Sequence, residues 1–274
     1  MNIGTIILYS TLTLLVLAGV FGFVLGFFSK AFKVKEDPRL QKLVDILPGA
    51  NCGACGLSGC QVFAENILSG KAQIDGCRAG GEELIKQISD TLGVKAEGNF
   101  EKRIAIALCH GGKNEANISC NLEGAPTCQS IKNLKLSPWV CEYTCLGKGD
   151  CAVICPFDAI VMNEDQLPEI DPKLCVGCGI CVDQCPQKIL ELFPAKTGVL
   201  CFCKNPDKGS IVRKACKVGC IVCHICEKKC PENAIRIVNN LPVVDTEKCT
   251  VCGICVSVCP TKAITLYKAI SGKK

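Results

Sequence analysis

Aromatic residues are scarce in this chain of 274 residues: one Trp, three Tyr and ten Phe. Histidine is scarcer, at two. The first shortage excludes a conventional aromatic-rich interior for the polar part, and the second leaves no nucleophile–base–acid constellation from which to build a hydrolase or transferase site. No G-x-G-x-x-G stretch joins a strand to a helix, so no flavin or nicotinamide dinucleotide site is expected on this chain. There is neither a lysine–arginine stripe nor a set of aromatic stacking positions, so nucleic acid is not an expected partner. What the chain has in excess is cysteine, 26 in all. About one residue in ten is then a thiol, and a soluble part short of core-forming residues must be held together by cross-links or metal.

Charge is missing altogether from residues 1–29, and Ile3 to Phe28 is almost continuously apolar. That length crosses a hydrocarbon core of roughly 30 Å as a helix. A cleaved signal fits poorly, because no basic region precedes the run, the run is long for such a segment and no small-x-small cleavage site follows. Lys30, Lys33 and Lys35 come immediately after it. The positive-inside rule then places the remainder on the cytoplasmic face of the cell membrane, a reducing side where metal ligation is favoured over disulfides. The same lysines suit contact with lipid headgroups.

Asp37-Pro38 reads as an N-cap and first helical residue, with Leu40, Leu43, Val44 and Leu47 on one face before Pro48-Gly49 stops the helix. Leu84, Ile85, Ile88 and Leu92, ended by Gly93, form a second such face. Between them lie Cys52, Cys55, Cys60 and Cys77, spaced C-x2-C-x4-C-x16-C among glycines. Four soft thiolates on a backbone that can wrap closely suit a four-iron cluster. Zinc is the rival; four-Cys zinc sites usually show two separated C-x2-C knuckles, whereas here three thiols crowd one loop.

From Cys141 onward the chain repeats itself. Cys175, Cys178, Cys181 and Cys185-Pro186 give C-x2-C-x2-C-x3-C-P, and the pattern returns at Cys220, Cys223, Cys226, Cys230-Pro231 and at Cys249, Cys252, Cys255, Cys259-Pro260. A looser copy, Cys141, Cys145, Cys151 and Cys155-Pro156, carries Leu146 to Asp150 as an insertion. Between the motifs of each pair the sequence predicts a hairpin, over 159–171 and 234–245, and after each pair another short strand, over 189–193 and 263–267. The fold class expected is α+β, with metal-dependent folding. The expected segments are a transmembrane helix at 1–29, a glycine-rich four-Cys unit at 30–95, an accessory linker at 96–138, and ferredoxin-like modules at 139–196 and 197–274.

The regular motifs resemble those of bacterial two-cluster ferredoxins, in which the fourth cysteine of each motif ligates the other cluster. That resemblance implies four ligand sets: Cys141, Cys145, Cys151 with Cys185; Cys175, Cys178, Cys181 with Cys155; Cys220, Cys223, Cys226 with Cys259; and Cys249, Cys252, Cys255 with Cys230. With the N-terminal unit, five 4Fe-4S clusters are expected on twenty cysteines. Six remain: Cys109, Cys120, Cys128, Cys201, Cys203 and Cys216, of which Cys109, Cys120, Cys203 and Cys216 are candidates for a sixth cluster, with plain buried or surface thiols as the alternative. His224 stands inside a ligand loop, where it tunes or shields a cluster more readily than it replaces a thiolate. The formal charge of +5 counts cysteines as neutral. Five oxidised clusters at about −2 each bring it to about −5.

The whole order, with Leu47 to Gly56 behind a membrane anchor and Cys145-Leu-Gly-Lys-Gly-Asp-Cys151 in the loose motif, resembles the B subunits of Rnf-type ion-translocating ferredoxin:NAD oxidoreductase complexes. The resemblance implies an electron-transfer subunit of a translocase, without a catalytic site of its own. It implies further that electrons arrive from soluble reduced ferredoxin and pass to other subunits of the complex, supporting NAD reduction and cation pumping. Two other readings use the same residues: a membrane polyferredoxin serving a hydrogenase or another reductase, and a structural zinc-binding module.

Overall fold

The computed structural model describes residues 3–31, 37–94, 101–120, 124–196 and 198–267. They divide into two units, residues 1–42 and 43–274. The first contains α1, Ile3–Ala31, one helix long and apolar enough to cross a membrane. Lys33 and Lys35 lie outside the described residues.

At the unit boundary, α2 covers Pro38–Ile46. Asp37 Oδ1 accepts the Arg39 N–H at 2.9 Å, the N-cap bond expected from Asp-Pro. In the second unit α3 covers Cys60–Leu68 and α4 covers Gly81–Leu92. The expected apolar faces are the inward ones: Leu43, Leu47, Leu84, Ile85 and Ile88 are buried. Gly93 ends α4 in a left-handed conformation, φ 67°, which a residue without Cβ adopts freely.

The cysteine-rich region beyond residue 100 is built from four two-stranded antiparallel sheets. In chain order its elements are β1 Arg103–Ala107, α5 Gly112–Glu115, α6 Cys128–Asn133, α7 Asp150–Val153, β2 Ile160–Met162, β3 Pro168–Ile170, α8 Ile180–Gln184 and β4 Leu190–Pro194, then β5 Gly198–Cys201, α9 Gly209–Ala215, α10 Ile225–Lys229, β6 Ile235–Val238, β7 Leu241–Val244, α11 Ile254–Ser257 and β8 Ile264–Tyr267. The two hairpins are β2–β3 and β6–β7. Asn239 and Asn240, both at positive φ, make the tight turn of the second, where two left-handed residues match the strand twist.

The segment expected to be an accessory linker contributes a strand to the first module. β1 pairs with β4, Arg103 opposite Pro194 and Ala107 opposite Leu190. In the second module β5 pairs in the same way with β8, Gly198 opposite Tyr267 and Cys201 opposite Ile264. Both strands carry apolar side chains that the cysteine-rich loops cannot supply. Ile104, Ala105, Ile106 and Ala107 enter one buried cluster with Ile160, Ile189 and Leu190, and Val199 enters the other with Ile235 and Ile264. Each core wraps a pair of cysteine groups.

Candidate metal centres

In every regular motif the backbone turns left-handed twice. Gly177 and Gly179, Val222 and His224, and Val251 and Gly253 all have positive φ, as do Gly147 and Gly149 in the loose copy. Alternating turns of this kind point successive N–H groups inward, a concave donor surface for sulfur. For valine the conformation is strained, and surrounding structure must hold it. The bonds are visible at the sulfurs: Cys145 accepts from Gly147, Cys178 from Ile180 and Cys220 from Val222.

Cys52, Cys55, Cys60 and Cys77 line one small cavity, as expected. Asn51 closes it, its Oδ1 accepting the Cys60 N–H at 2.8 Å so that the loop is tied to the start of α3. Burial pushes the Cys77 thiol up, while N–H groups of Gly80 and Ala79 donate to its sulfur. Those two bonds oppose the shift, as a site meant to hold a thiolate requires.

Cys155, Cys175, Cys178 and Cys181 come together in the first module. Burial pushes the Cys181 thiol up to about 12, and the sulfurs of Cys175, Cys178 and Cys155 add to the shift. β1 supplies a donor here: the Ala105 N–H reaches Cys175 Sγ at 3.4 Å. In the second module Cys226 is likewise raised, to about 11, first by burial and then by Cys220, Cys223 and Cys259. Cys230, Cys249, Cys252 and Cys255 line a cavity of their own, with the Ala234 N–H on Cys230 Sγ at 3.3 Å.

The remaining group differs from the expected one. Cys145, Cys151 and Cys185 line a shared cavity, and the fourth cysteine in that lining is Cys128, not Cys141. α6 carries Cys128 inward. Thr127 and Ser130 form a capping box at its start, and both carboxylate oxygens of Asp150 accept N–H groups there, from Cys128 at 2.9 Å and Gln129 at 3.1 Å. The insertion that follows Cys145 lengthens the loop on this side of the cavity. It spans Leu146 to Asp150, and a thiol from upstream completes the lining. Spacing alone hid this, but Cys141-x3-Cys145 matches Cys216-x3-Cys220, and that match marks Cys141 as preceding the motif.

Cys141 lies instead near Cys109, Cys203 and Cys216. Cys120, expected in a set with Cys109, Cys203 and Cys216, is exposed, its thiol donating to the Ser137 carbonyl at 3.3 Å. Cys201 is buried beside Cys220. His224 turns to Glu227, with Nδ1 and Oε2 2.8 Å apart, and Glu227 in turn accepts the Ile237 N–H at 3.1 Å. This histidine braces its loop and also favours ionisation of the neighbouring Cys220 thiol.

Among the described residues, no three His, Cys, Asp or Glu side chains converge tightly enough for a single metal ion. The cysteine groups surround spaces instead of points. All-thiol donor sets of four, lined by inward N–H groups, fit iron–sulfur clusters.

Comparisons with known proteins agree on this chemistry. Residues 47–79 match a family model described as "Putative Fe-S cluster", residues 141–189 a 4Fe-4S dicluster domain and residues 242–265 a 4Fe-4S binding domain. The chain is 40% identical over 234 residues, 84% of its own length and 70% of the relative's, to the B subunit of the Na(+)-translocating ferredoxin:NAD(+) oxidoreductase complex of Acetobacterium woodii. It is 38% identical over 85% of its length, and 89% of the relative's, to the B subunit of the ion-translocating oxidoreductase complex of Methanosarcina acetivorans. A third relative, the B subunit of the proton-translocating ferredoxin:NAD(+) oxidoreductase complex of Clostridium ljungdahlii, is 37% identical over 82% of this chain and 80% of its own.

Proposed function

The chain belongs to the B-subunit family of ion-translocating ferredoxin:NAD oxidoreductase complexes, and from that premise we propose that it is the membrane-anchored electron relay of such a complex. Its expected donor is soluble reduced ferredoxin, and its acceptors are neighbouring subunits that carry the nicotinamide chemistry and the ion pathway. The family names of its relatives favour this over a polyferredoxin serving a hydrogenase. In this reading α1 is a single-pass anchor, and Lys30 with the two lysines beyond it keeps the cysteine-rich unit on the cytoplasmic side.

One-electron acceptance and donation are what a 4Fe-4S cluster supplies when bound. The residues do the rest. We assign five sets: Cys52, Cys55, Cys60, Cys77; Cys155, Cys175, Cys178, Cys181; Cys128, Cys145, Cys151, Cys185; Cys220, Cys223, Cys226, Cys259; and Cys230, Cys249, Cys252, Cys255. Backbone N–H groups stabilise the thiolates, and the apolar strands behind them exclude water.

The observation that carries the reading is continuity between the sets. The Cys52 sulfur lies close enough to Cys178 to disfavour its ionisation, and Cys151 does the same to Cys181. The N-terminal unit therefore abuts the first module, whose own two sets adjoin. An electron entering at one end has a neighbour to pass to.

The test uses the full chain, extracted in detergent and kept anaerobic. Reduced ferredoxin, in molar excess over the clusters, should bleach its visible absorption, whereas NADH alone should not. A preparation with zinc but no acid-labile sulfide, or one indifferent to reduced ferredoxin, would refute the relay.

A further inference from the structure

We propose that Cys109, Cys141, Cys203 and Cys216 hold a sixth four-iron cluster, seated between the two ferredoxin-like modules. The inference rests on the iron–sulfur reading above and adds a site to it.

The two modules repeat beyond their motifs. The Leu108 N–H bonds to the Ile189 carbonyl at 2.7 Å, and the Phe202 N–H bonds to the Ala263 carbonyl at 2.7 Å. Ile189 and Ala263 each stand four residues past the last cysteine of a motif, Cys185 and Cys259. Leu108 and Phe202 are thus equivalent, and so are the cysteines that follow them, Cys109 and Cys203. Cys141 and Cys216 are equivalent in turn, each four residues before Cys145 or Cys220. Each half therefore contributes the same two thiols.

The fold brings these four together across the seam. The Asn117 N–H bonds to the Ala215 carbonyl at 2.9 Å, the Lys217 N–H to the Glu115 carbonyl at 3.0 Å and the Val140 N–H to the Asn117 carbonyl at 2.8 Å, so the stretches leading to Cys141 and Cys216 share one backbone ladder. His110 stacks on Phe202, ring centroids 4.0 Å apart, beside Cys109 and Cys203. A Cβ added at Gly111 would stand 3.5 Å from both Cys109 Sγ and Cys216 Sγ, so the glycine leaves room at the sulfurs. Cys109 and Cys141 also border Cys216 electrostatically, and Cys141 borders Cys203.

The local chemistry repeats what the other sets show. Each thiol accepts from the N–H two residues on: Cys109 from Gly111 at 3.4 Å, Cys141 from Tyr143, Cys203 from Asn205 and Cys216 from Val218. This is the clamp seen at Cys145, Cys178 and Cys220. Moreover, among the described residues the only buried polar side chains are Thr144 and Asn205, each 2% exposed. Both serve this site: Asn205 Nδ2 donates to Cys141 Sγ at 3.4 Å, and Thr144 Oγ1 lies 3.2 Å from Cys109 Sγ. Ordinary packing thiols do not require a fully buried amide and a fully buried hydroxyl as partners.

Position gives the site its purpose. Cys109 adjoins Cys145 on one side, and Cys203 adjoins Cys220 on the other. A cluster here joins the relay of the first module to that of the second.

The experiment counts iron and acid-labile sulfide per full-length chain, prepared anaerobically, with Cys141→Ser, Cys203→Ser, Cys128→Ser and Cys120→Ser variants alongside. At four iron per cluster, the native chain should hold about 24 of each. Cys141→Ser and Cys203→Ser should each lose about four, and the pair together still about four, because both thiols serve one cluster. Combining Cys141→Ser with Cys128→Ser should lose about eight, and Cys120→Ser none. Electron paramagnetic resonance of the reduced Cys141→Ser chain should retain the five other signals, which separates loss of one site from misfolding. About 20 iron in the native chain, unchanged by Cys203→Ser, would overturn the sixth site while leaving the relay intact. A native chain without sulfide would overturn the relay itself.

Discussion

Cys201 lies beside Cys220, the two thiols interacting directly, while the Cys201 S–H is directed at the Cys203 carbonyl 3.9 Å away. Their contact, with burial, pushes the Cys201 thiol far up, and the same contact holds Cys220 below the usual thiol range. Cys201 sits at the end of β5, outside the ligand sets proposed above, so its proton remains when Cys220 is bound to iron. A protonated thiol against a ligand sulfur favours the more electron-rich, reduced state. Replacing Cys201 by Ala should therefore make one potential more negative while iron content stays constant. If the lost contact is worth about 1 kcal/mol, the shift is about 40 mV for one electron. Redox titration followed by electron paramagnetic resonance reads it, and an unmoved set of potentials would sink the idea.

Asp150 holds Cys128 in place through two N–H groups at the start of α6. Its replacement by Ala leaves Cys128 in the chain but removes its anchor, at a cost of about 1 kcal/mol as for a lost helix cap. The expected result is selective: one cluster's worth of iron should leave faster under chelator, and the rest at the native rate. Uniform release would show that the carboxylate acts on the whole fold.

The regular motifs, both hairpins, α1 and the faces of α2 and α4 were legible because each is written within a few dozen neighbouring residues. β1 was not, since the pairing partner of Arg103 is Pro194, and a short apolar run gives no local sign of a partner so distant. The place of Cys128 in the cavity with Cys145, Cys151 and Cys185 was hidden for the same reason. C-x3-C looks like a loosened motif, and it took the folded cavity to bring Cys128, far upstream, beside Cys145, Cys151 and Cys185. Pairings within a motif are local chemistry; pairings between halves are topology.

Gly177 separates conformational strain from steric conflict. Its φ is +71°, and a Cβ there would run into the Arg103 carbonyl at the start of β1. Gly253, which stands in the last motif where Gly179 stands in this one, has φ +77° with open space around it. Gly253→Ala should cost about 1–2 kcal/mol, the left-handed penalty alone. Gly177→Ala should cost clearly more, because β1 must move off β4. Comparing thermal or denaturant midpoints of the two holo variants checks this; equal losses would mean that β1 does not press on the loop as described.

Removing iron should unfold most of the second unit, since its cores are small and each wraps thiols. Refilling should then depend on pH in a definite direction. Burial pushes Cys203 up to about 12 and Cys216 to about 11, so in any empty folded molecule both stay protonated at neutral pH. Such thiols favour the empty fold below about pH 9, where unfolded thiols are protonated too, and that contribution fades as pH rises through about 11 to 12. Iron binding must expel these protons, and raising pH lowers that cost. Anaerobic reconstitution at about pH 8.5 should accordingly give higher iron occupancy than at about pH 6.5 at the same iron and sulfide, with net proton release measurable in weak buffer. Occupancy that falls with pH, or uptake without proton release, would show that the sulfurs are already ionised before iron arrives.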